Sequence, residues 1–310
     1  MASYSVLSSE QISEIFAEYG LPSVENWKPL SGGLENTSVL VTTRHKQFVL
    51  TVLERKSRRE AQHLAELLDY LAEHNFYTSR VCRTRAGDLL SARYEKPVLL
   101  KDYIPGIITP HLNEEALATI GRQIARLHLI PPPEYLPRAY SYGQQAFAEL
   151  DHLSEPFITW LREKHRFIRP HLSDDLPRAF IHGDVFYDNV ILSEAGTAIT
   201  DFEEACYYYR IFDIAMAVVG MCAPEGEIRL PKVKALVAGY EAVQALQPSE
   251  KDRLRAFVVY AATAATFWRY RQYHVTNPDP AMQHHHRAMK CIADHAFLIR
   301  DKAFSKIFNH

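Results

Sequence analysis

The sequence predicts a bilobal α+β protein, with a small antiparallel-sheet lobe over residues 1–104 and a larger, mainly helical lobe over 105–310. Three observations predict this class. The chain has 310 residues, which is more than one hydrophobic core usually serves, so two cores are expected. Short β-branched and apolar runs of strand length dominate the first lobe. Beyond Gly106 the apolar residues recur with helical spacing instead.

The composition is that of an ordinary globular protein and excludes several classes. Hydrophobic residues make up 47% of the chain, so a wholly disordered protein is excluded. The 35 basic residues are balanced by 37 acidic ones, and a chain without a positive surplus is not expected to bind nucleic acid or an anionic membrane as its main partner. No pattern in the sequence indicates an oligomeric state.

The cysteines and the N-terminal segment favour a cytoplasmic protein. The four cysteines are far apart and never approach a CxxC spacing, which favours a reducing compartment: Cys82, Cys206, Cys222 and Cys291. The first 16 residues have neither a basic nor a strongly apolar region, so no secretory signal is expected. No apolar run is long enough to predict a transmembrane helix.

The first lobe reads as a helix followed by alternating strands and one further helix. Ser8 and Gln11 form a capping-box pattern at the start of the first helix. Leu64, Leu67 and Leu71 lie on one face of the second helix. The predicted helices are 8–19 and 57–74, and the predicted strands are 38–43, 47–53, 89–94 and 97–100.

The second lobe reads as a series of helices. Asn113 is a good N-cap for the first of them, and three consecutive prolines at 131–133 end it. Long helical patterns return at 143–168, 211–222, 231–244, 250–274 and 280–305. One strand-like island, residues 179–202, interrupts this helical pattern.

The chemistry is concentrated in this island. An apolar strand leads into His182, Gly183 and Asp184; Asn189 opens a second strand, and a third strand is predicted to end at Asp201. Short strands joined by tight turns would bring Asp184, Asn189 and Asp201 to one edge. Two carboxylates and an amide at one point make an oxygen-rich site that suits Mg²⁺.

The same residues fit phosphoryl transfer. That reaction needs a metal to neutralise phosphate charge and a carboxylate to receive the proton of the acceptor hydroxyl. The order Asp, four residues, Asn, hairpin, Asp matches a kinase catalytic loop followed by its metal-binding Asp. We therefore expect Asp184 to act as the catalytic base and Asn189 and Asp201 to bind the metal.

This pattern, HGDxxxxN followed by a strand and Asp-Phe, resembles the aminoglycoside phosphotransferase and choline kinase superfamily. The resemblance covers essentially the whole chain and implies a protein-kinase-like fold that uses ATP and Mg²⁺. Three stretches look most similar to the homoserine kinases of that superfamily: Gly-Gly-Leu-Glu-Asn at 32–36, Val-Leu-Thr-Val-Leu-Glu at 49–54 and Phe-Trp-Arg-Tyr at 267–270. His182 and Asp213 are expected to support the site structurally.

The nucleotide is expected to contact the first lobe. Gly32 and Gly33 would let backbone N–H groups approach the phosphates. Residues 102–104 (Asp102, Tyr103, Ile104) would meet the adenine. Thr51 occupies the position where kinases usually carry a phosphate-binding Lys. Arg55 or Lys56 would substitute for that Lys, or both are ordinary surface charges.

The acceptor is expected to be a small amino acid. Glu203 or Glu204 could bind an ammonium group, and Arg269, beside Trp268, could grip a carboxylate. Having both an acid and an Arg favours homoserine over choline, for which an aromatic cage would suffice. Choline, ethanolamine and aminoglycosides stay open as acceptors, and core packing stays open as the role of the aromatic run. A catalytically silent nucleotide-binding regulatory protein is the alternative from another class.

Overall fold

A computed structural model describes residues 5–30, 36–153 and 156–308. The chain divides into two compact units, one ending at Gly106 and the other beginning at Ile107. This division lies two residues beyond the expected boundary between residues 104 and 105. Over the described residues, none of the helices combines the length and apolar character that crossing a bilayer requires.

The first unit is built on a five-stranded antiparallel sheet with strand order β1-β2-β3-β5-β4. Alternate residues along the central strands point to one face, where Val41, Leu50 and Leu100 pack with Ile12 and Phe16 of α1. This packing buries the core of the unit. Its elements are α1 (Ser9–Glu18), β1 (Val24–Pro29), β2 (Thr37–Thr43), β3 (Gln47–Val52), α2 (Arg58–Glu73), β4 (Leu90–Ser91) and β5 (Val98–Asp102).

Most of these elements were predicted, and both predicted helices begin at a capping box. Ser8 and Gln11 cap α1 reciprocally, and Ser57 and Glu60 do the same for α2. The strand β1 was not predicted. It is an edge strand that has mostly exposed residues and ends in proline, so it carries little of the apolar alternation that marks a strand.

The second unit is mainly helical, with two short two-stranded sheets, β6-β9 and β7-β8. Helices α3 and α6 cross closely at Gly121 and Gly239, where an added Cβ would meet the backbone of the other helix. Nearly every residue of α5 is buried, which makes it the central helix of this unit. The helices are α3 (Glu114–His128), α4 (Pro156–Ile168), α5 (Arg210–Met221), α6 (Leu230–Glu241), α7 (Pro248–Tyr270), α8 (His286–Leu298) and α9 (Asp301–Ser305). The strands are β6 (Arg178–Ile181), β7 (Val190–Ser193), β8 (Gly196–Ile199) and β9 (Cys206–Tyr209).

Three of the predicted helices are interrupted. The pattern over 143–168 is a 3₁₀ helix, Gln144–Leu150, followed by α4, which starts at a proline because proline fits the first helical position. The pattern over 250–274 continues beyond α7 as a π-helix, Arg271–Thr276. The pattern over 280–305 divides into α8 and α9. In the island, β8 ends at Ile199, two residues before Asp201, and β9 was not predicted.

Candidate active site

The loop that follows β6 is held by one buried carboxylate. The N–H of His182 donates to Oδ2 of Asp213 at 2.9 Å, and the N–H of Gly183 donates to Oδ1 at 2.8 Å. Asp213 lies in the first turns of α5 and is fully buried. The central helix of the unit therefore fixes the start of the loop that carries Asp184.

The charge of Asp213 has a second partner that the sequence did not predict. Nε2–H of His128, at the end of α3, donates to Oδ2 of Asp213 at 3.2 Å, and its Nδ1 lies 2.9 Å from the Tyr240 hydroxyl. Burial acts to raise the pKa of Asp213, but the hydrogen bond and charge of His128, with the His182 N–H, hold it below the ordinary value. The sequence signal for His128 is its place on the apolar face of α3, where a polar ring indicates a buried partner.

Gly183 makes the turn that the loop requires. Its φ is +85°, a region that residues with a Cβ rarely adopt. A Cβ at this position would also lie only 2.6 Å from the carbonyl oxygen of Glu204. Both the conformation and the space therefore demand glycine between His182 and Asp184.

His182 connects the two ends of the island. Its ring is buried, and Nδ1 accepts a hydrogen bond from the N–H of Asp184 at 3.2 Å. The other nitrogen, Nε2, lies 2.8 Å from the carbonyl oxygen of Thr200, so it carries the proton and donates. The ring thus ties the loop at Asp184 to the segment that leads to Asp201.

Asp184 and Asn189 are in direct contact. Nδ2 of Asn189 donates to the carbonyl oxygen of Asp184 at 2.9 Å and to its Oδ2 at 3.1 Å. Because these bonds use the amino group of the amide, they assign the amide oxygen Oδ1 to the opposite side. A second bond, from the N–H of Thr200 to the carbonyl oxygen of Asn189 at 2.9 Å, brings the Asp201 segment alongside.

Asp201 adopts an unusual backbone conformation. Its φ is +68°, in the left-handed region, and its side chain is exposed. Non-glycine residues in this region are uncommon and concentrate at functional sites. The turn ends the hairpin of β7 and β8.

Carboxylates crowd this site. The pKa of Asp184 is raised to about 8, first by burial and then by the charges of Asp201, Asp188 and Glu204, with only partial relief from the Asn189 hydrogen bond. Such crowding fits a site that receives a cation. Over the described ranges, no three His, Cys, Asp or Glu side chains enclose a metal position by themselves. The donor set is an open one, of carboxylates and an amide oxygen, which suits Mg²⁺ because this ion keeps water and phosphate ligands.

Arg269 of α7 lies in the electrostatic field of the same loop. Burial lowers its pKa, and the negative charges of Asp184 and Asp188 act in the opposite direction. Its neighbour Trp268 packs edge-on against Tyr142 and Tyr273, with ring centroids 6.2 and 6.3 Å apart. An Arg and an aromatic cluster therefore adjoin the carboxylates.

The predicted acid Glu203 is partly buried directly after this segment, and Glu204 is the acid whose charge acts on Asp184. Tyr140, which was not predicted, is buried beside Asp184 and Glu204, and their charges add to the effect of burial in raising its pKa. The tyrosine stands in a loop between α3 and α4, so no periodic pattern marked it.

The residues predicted to contact the nucleotide lie in the first unit. Gly32 and Gly33 are outside the described residues. Asp102 forms an ion pair with Lys46 at 2.7 Å. Its N–H donates to the carbonyl oxygen of Arg80, and the N–H of Tyr103 donates to that of Gln47. These two donors are therefore occupied within the unit.

Thr51 is buried on β3, and its hydroxyl lies 3.3 Å from that of Ser38. A small hydroxyl thus occupies the position where a kinase usually has a long cationic side chain. The buried Thr51 hydroxyl is accommodated because it pairs with the Ser38 hydroxyl on the neighbouring strand β2.

Comparison with known proteins identifies the family. A model of the phosphotransferase enzyme family matches residues 26–255, which is well over half of the chain and includes the whole island. The chain belongs to this phosphotransferase family. It is therefore an ATP-dependent kinase of small molecules, as the order of residues in the island predicted.

Two curated relatives of this phosphotransferase are homoserine kinases. The one from Phenylobacterium zucineum (strain HLK1) is 28% identical over 294 residues, covering 89% of each chain. The one from Caulobacter sp. (strain K31) is 27% identical over 278 residues, covering 82% of this chain and 83% of the relative. A solved structure, a microcompartment-associated aminopropanol kinase, covers 94% of this chain and 96% of its own at a TM-score of 0.71 and 18% identity. The predicted protein-kinase-like α+β fold is confirmed.

The Asp213 network predicts a specific dependence of stability on pH. Because the folded-state pKa of Asp213 is depressed, its ionised form contributes stability above about pH 4, and this contribution is lost as the pH falls through the folded-state pKa. The Asp213→Asn variant of this phosphotransferase should have a free energy of unfolding about 3 kcal/mol below that of wild type at pH 7. The deficit relative to wild type should shrink below about pH 4.

Urea denaturation of both proteins between about pH 3 and pH 7 measures this. The control is Asp174→Asn, since the side chain of Asp174 is fully exposed and its removal should leave the free energy of unfolding nearly unchanged. An equal deficit at all pH values would contradict the depressed pKa.

Proposed function

We propose that this phosphotransferase transfers the γ-phosphate of ATP to the side-chain hydroxyl of homoserine, giving O-phosphohomoserine and ADP. Two lines support it. The curated relatives named above are homoserine kinases that align over most of both chains. The observation that carries the proposal is Arg269, a half-buried cation that forms no ion pair with a described residue, although the charges of Asp184 and Asp188 act on it.

The environment of Arg269 favours a substrate with a carboxylate. A guanidinium remains charged when it is buried, so removing it from water is unfavourable unless an anion accompanies it. The hydrogen bond that the structure gives Arg269 is a long one, 3.5 Å from Nη1 to the carbonyl oxygen of His285. The α-carboxylate of homoserine would give Arg269 an ion-pair partner and would accept two parallel hydrogen bonds from the guanidinium.

The ammonium group of the same substrate needs an acid. We assign it to Glu204, because the charge of this residue acts on Asp184, where the reacting hydroxyl must also lie. Glu203 and Trp268 would line the same side of the acceptor pocket. An acceptor with both a carboxylate and an ammonium group uses Arg269 and Glu204 together, whereas choline or ethanolamine would leave Arg269 without an ion-pair partner.

Asp184 would act as the catalytic base. The hydroxyl oxygen of the acceptor attacks the γ-phosphorus while the bond from phosphorus to the bridging oxygen of ADP breaks, and the hydroxyl proton passes to the Asp184 carboxylate. The hydrogen bond from Nδ2 of Asn189 to Oδ2 orients this carboxylate. Asp213 and His182 would position it through the backbone.

Asn189, through Oδ1, and Asp201 would hold Mg²⁺. When bound, the ion supplies positive charge that neutralises the phosphates and favours the ionised form of Asp184. Asn189 suits this task because its amino group is engaged by Asp184, which leaves the amide oxygen to face a cation.

The nucleotide would bind through backbone groups of the first unit. Gly32 and Gly33 stay assigned to the phosphates. Of the residues assigned to adenine, Asp102 and Tyr103 have their N–H groups engaged, so they would contribute carbonyl oxygens. The N–H of Ile104 does not donate to the backbone carbonyl of any described residue, so Ile104 would be the donor to adenine.

A panel of acceptors tests the reaction. ADP release with ATP·Mg²⁺ would be measured for homoserine, serine, threonine, choline, ethanolamine and an aminoglycoside. Homoserine should be the preferred acceptor, and Asp184→Asn should lower kcat by roughly 10²- to 10⁴-fold, the contribution of a general base. Preferred turnover of choline would keep the kinase but overturn the acceptor. The absence of acceptor-dependent release from the whole panel would contradict the proposal.

The role of Arg269 is tested against Arg271. Arg271 lies two residues further along the same helical segment, is about one-third exposed and has its own partner, with Nε 2.7 Å from Oε2 of Glu149. Arg269→Gln should raise KM for homoserine by about 10- to 100-fold with little change in kcat, because it removes a charged hydrogen bond made to the substrate throughout the reaction. Arg271→Gln should change KM by less than about 3-fold.

Any residual activity towards ethanolamine provides a second readout, since that acceptor has no carboxylate and should be insensitive to Arg269→Gln. Equal effects of the two substitutions on homoserine, or a loss of ethanolamine activity with Arg269→Gln, would mean that Arg269 does not bind the carboxylate.

A further inference from the structure

A second concentration of positive charge lies on α4 and the turn that follows it. Arg162, Arg166 and Arg169 recur at intervals of four and three residues, so they share one side of the helical segment. With Asp151, His165 and Pro170 they line an open cavity of about 630 Å³. None of these residues belongs to the candidate active site.

The ionic partners of the three arginines differ. Arg162 is anchored by Asp151, whose Oδ1 accepts from Nε at 3.1 Å and whose backbone carbonyl accepts from Nη2 at 3.0 Å. Arg166 and Arg169 are exposed, and neither forms an ion pair with a described residue. The lining therefore has three guanidinium groups against one carboxylate.

The partial negative charge at a helix C-terminus accounts for one arginine at this position but not for three. The carbonyl groups at a helix C-terminus attract positive charge, which accounts for a cation in the last turn. Like charges three or four residues apart on a helix repel each other, so three of them facing one cavity are unfavourable without an anion. The chain as a whole carries a formal net charge of -2, so this excess is local.

We propose that this cavity is a second anion site, which binds the phosphoryl group of a small phosphorylated molecule. Guanidinium groups recognise phosphate through paired hydrogen bonds, and Arg162 is already held in place by Asp151 to form one wall. The cavity is within the size range of small-molecule sites and is larger than a phosphate ion needs, so it has room for the rest of the molecule.

His165 completes the lining as a polar, uncharged group. Burial and then the charge of Arg169 lower the pKa of its ring, which favours the neutral form. Nε2 lies 3.0 Å from Oε1 of Gln144 and donates to it. In a neutral ring the other nitrogen, Nδ1, is then an acceptor. A neutral His at this position accepts a hydrogen bond from a hydroxyl group of the ligand.

The test uses inorganic pyrophosphate as the probe, in isothermal titration calorimetry of the full chain. Wild-type protein should bind it, and Arg166→Gln/Arg169→Gln should weaken binding by about tenfold or more, because two charged hydrogen-bond donors are lost. The control is Arg229→Gln, an exposed arginine that pairs with Glu227 and should leave the affinity unchanged. The dicarboxylate malonate should bind more weakly than pyrophosphate if the site recognises phosphate.

Both substituted arginines are exposed, so the double variant should keep the wild-type unfolding temperature, and the single variant Arg166→Gln gives an independent reading. The kinetic constants for ATP and acceptor should be unchanged in both variants, which separates this site from the active site. The proposal is overturned if pyrophosphate does not bind at millimolar concentration, if the double variant binds it as tightly as wild type, or if malonate binds as tightly as pyrophosphate.

Discussion

The geometry of the candidate active site depends on the buried carboxylate of Asp213. Its two oxygens accept the N–H groups of consecutive residues, His182 and Gly183, and this pair of bonds fixes the direction in which the chain leaves β6. A carboxylate without solvent exposure is unfavourable unless it is hydrogen-bonded on all sides, and His128 supplies the third bond. The requirement that this charge be satisfied therefore holds α3, α5 and the catalytic loop together.

The remaining geometry follows from this anchor and from two residues with positive φ. Gly183 turns the chain so that Asp184 emerges beside Asn189, and the left-handed turn at Asp201 ends the hairpin next to both. On the other side, Gly220 of α5 lets the loop approach closely, because a Cβ there would lie 2.9 Å from Phe186. The candidate site is thus positioned by the buried helix α5 and by short hydrogen-bonded strands, which is the preorganisation that phosphoryl transfer requires.

The candidate site could be located from the sequence because the residues proposed to react, Asp184, Asn189 and Asp201, lie within twenty residues of one another. The residues that support the loop could not be predicted as easily, since His128 and Tyr140 are far away in sequence and meet the loop only through tertiary packing. The strands β1 and β9 were missed for a related reason: β1 is an exposed edge strand, and β9 carries aromatic residues that also fit the start of a helix. The proline at the start of α4 marks a helix boundary, which is why the pattern over 143–168 does not form one uninterrupted helix.

Amide hydrogen exchange of the wild-type protein tests most directly whether Asp213 holds the loop in place before any substrate binds. The N–H groups of His182 and Gly183 should exchange only through global unfolding, with a free energy of exchange equal to that of the best-protected amides of α5. If these two amides exchange through a local opening of much lower free energy, the loop is not fixed by the buried carboxylate, and the account of how Asp184 is positioned is wrong.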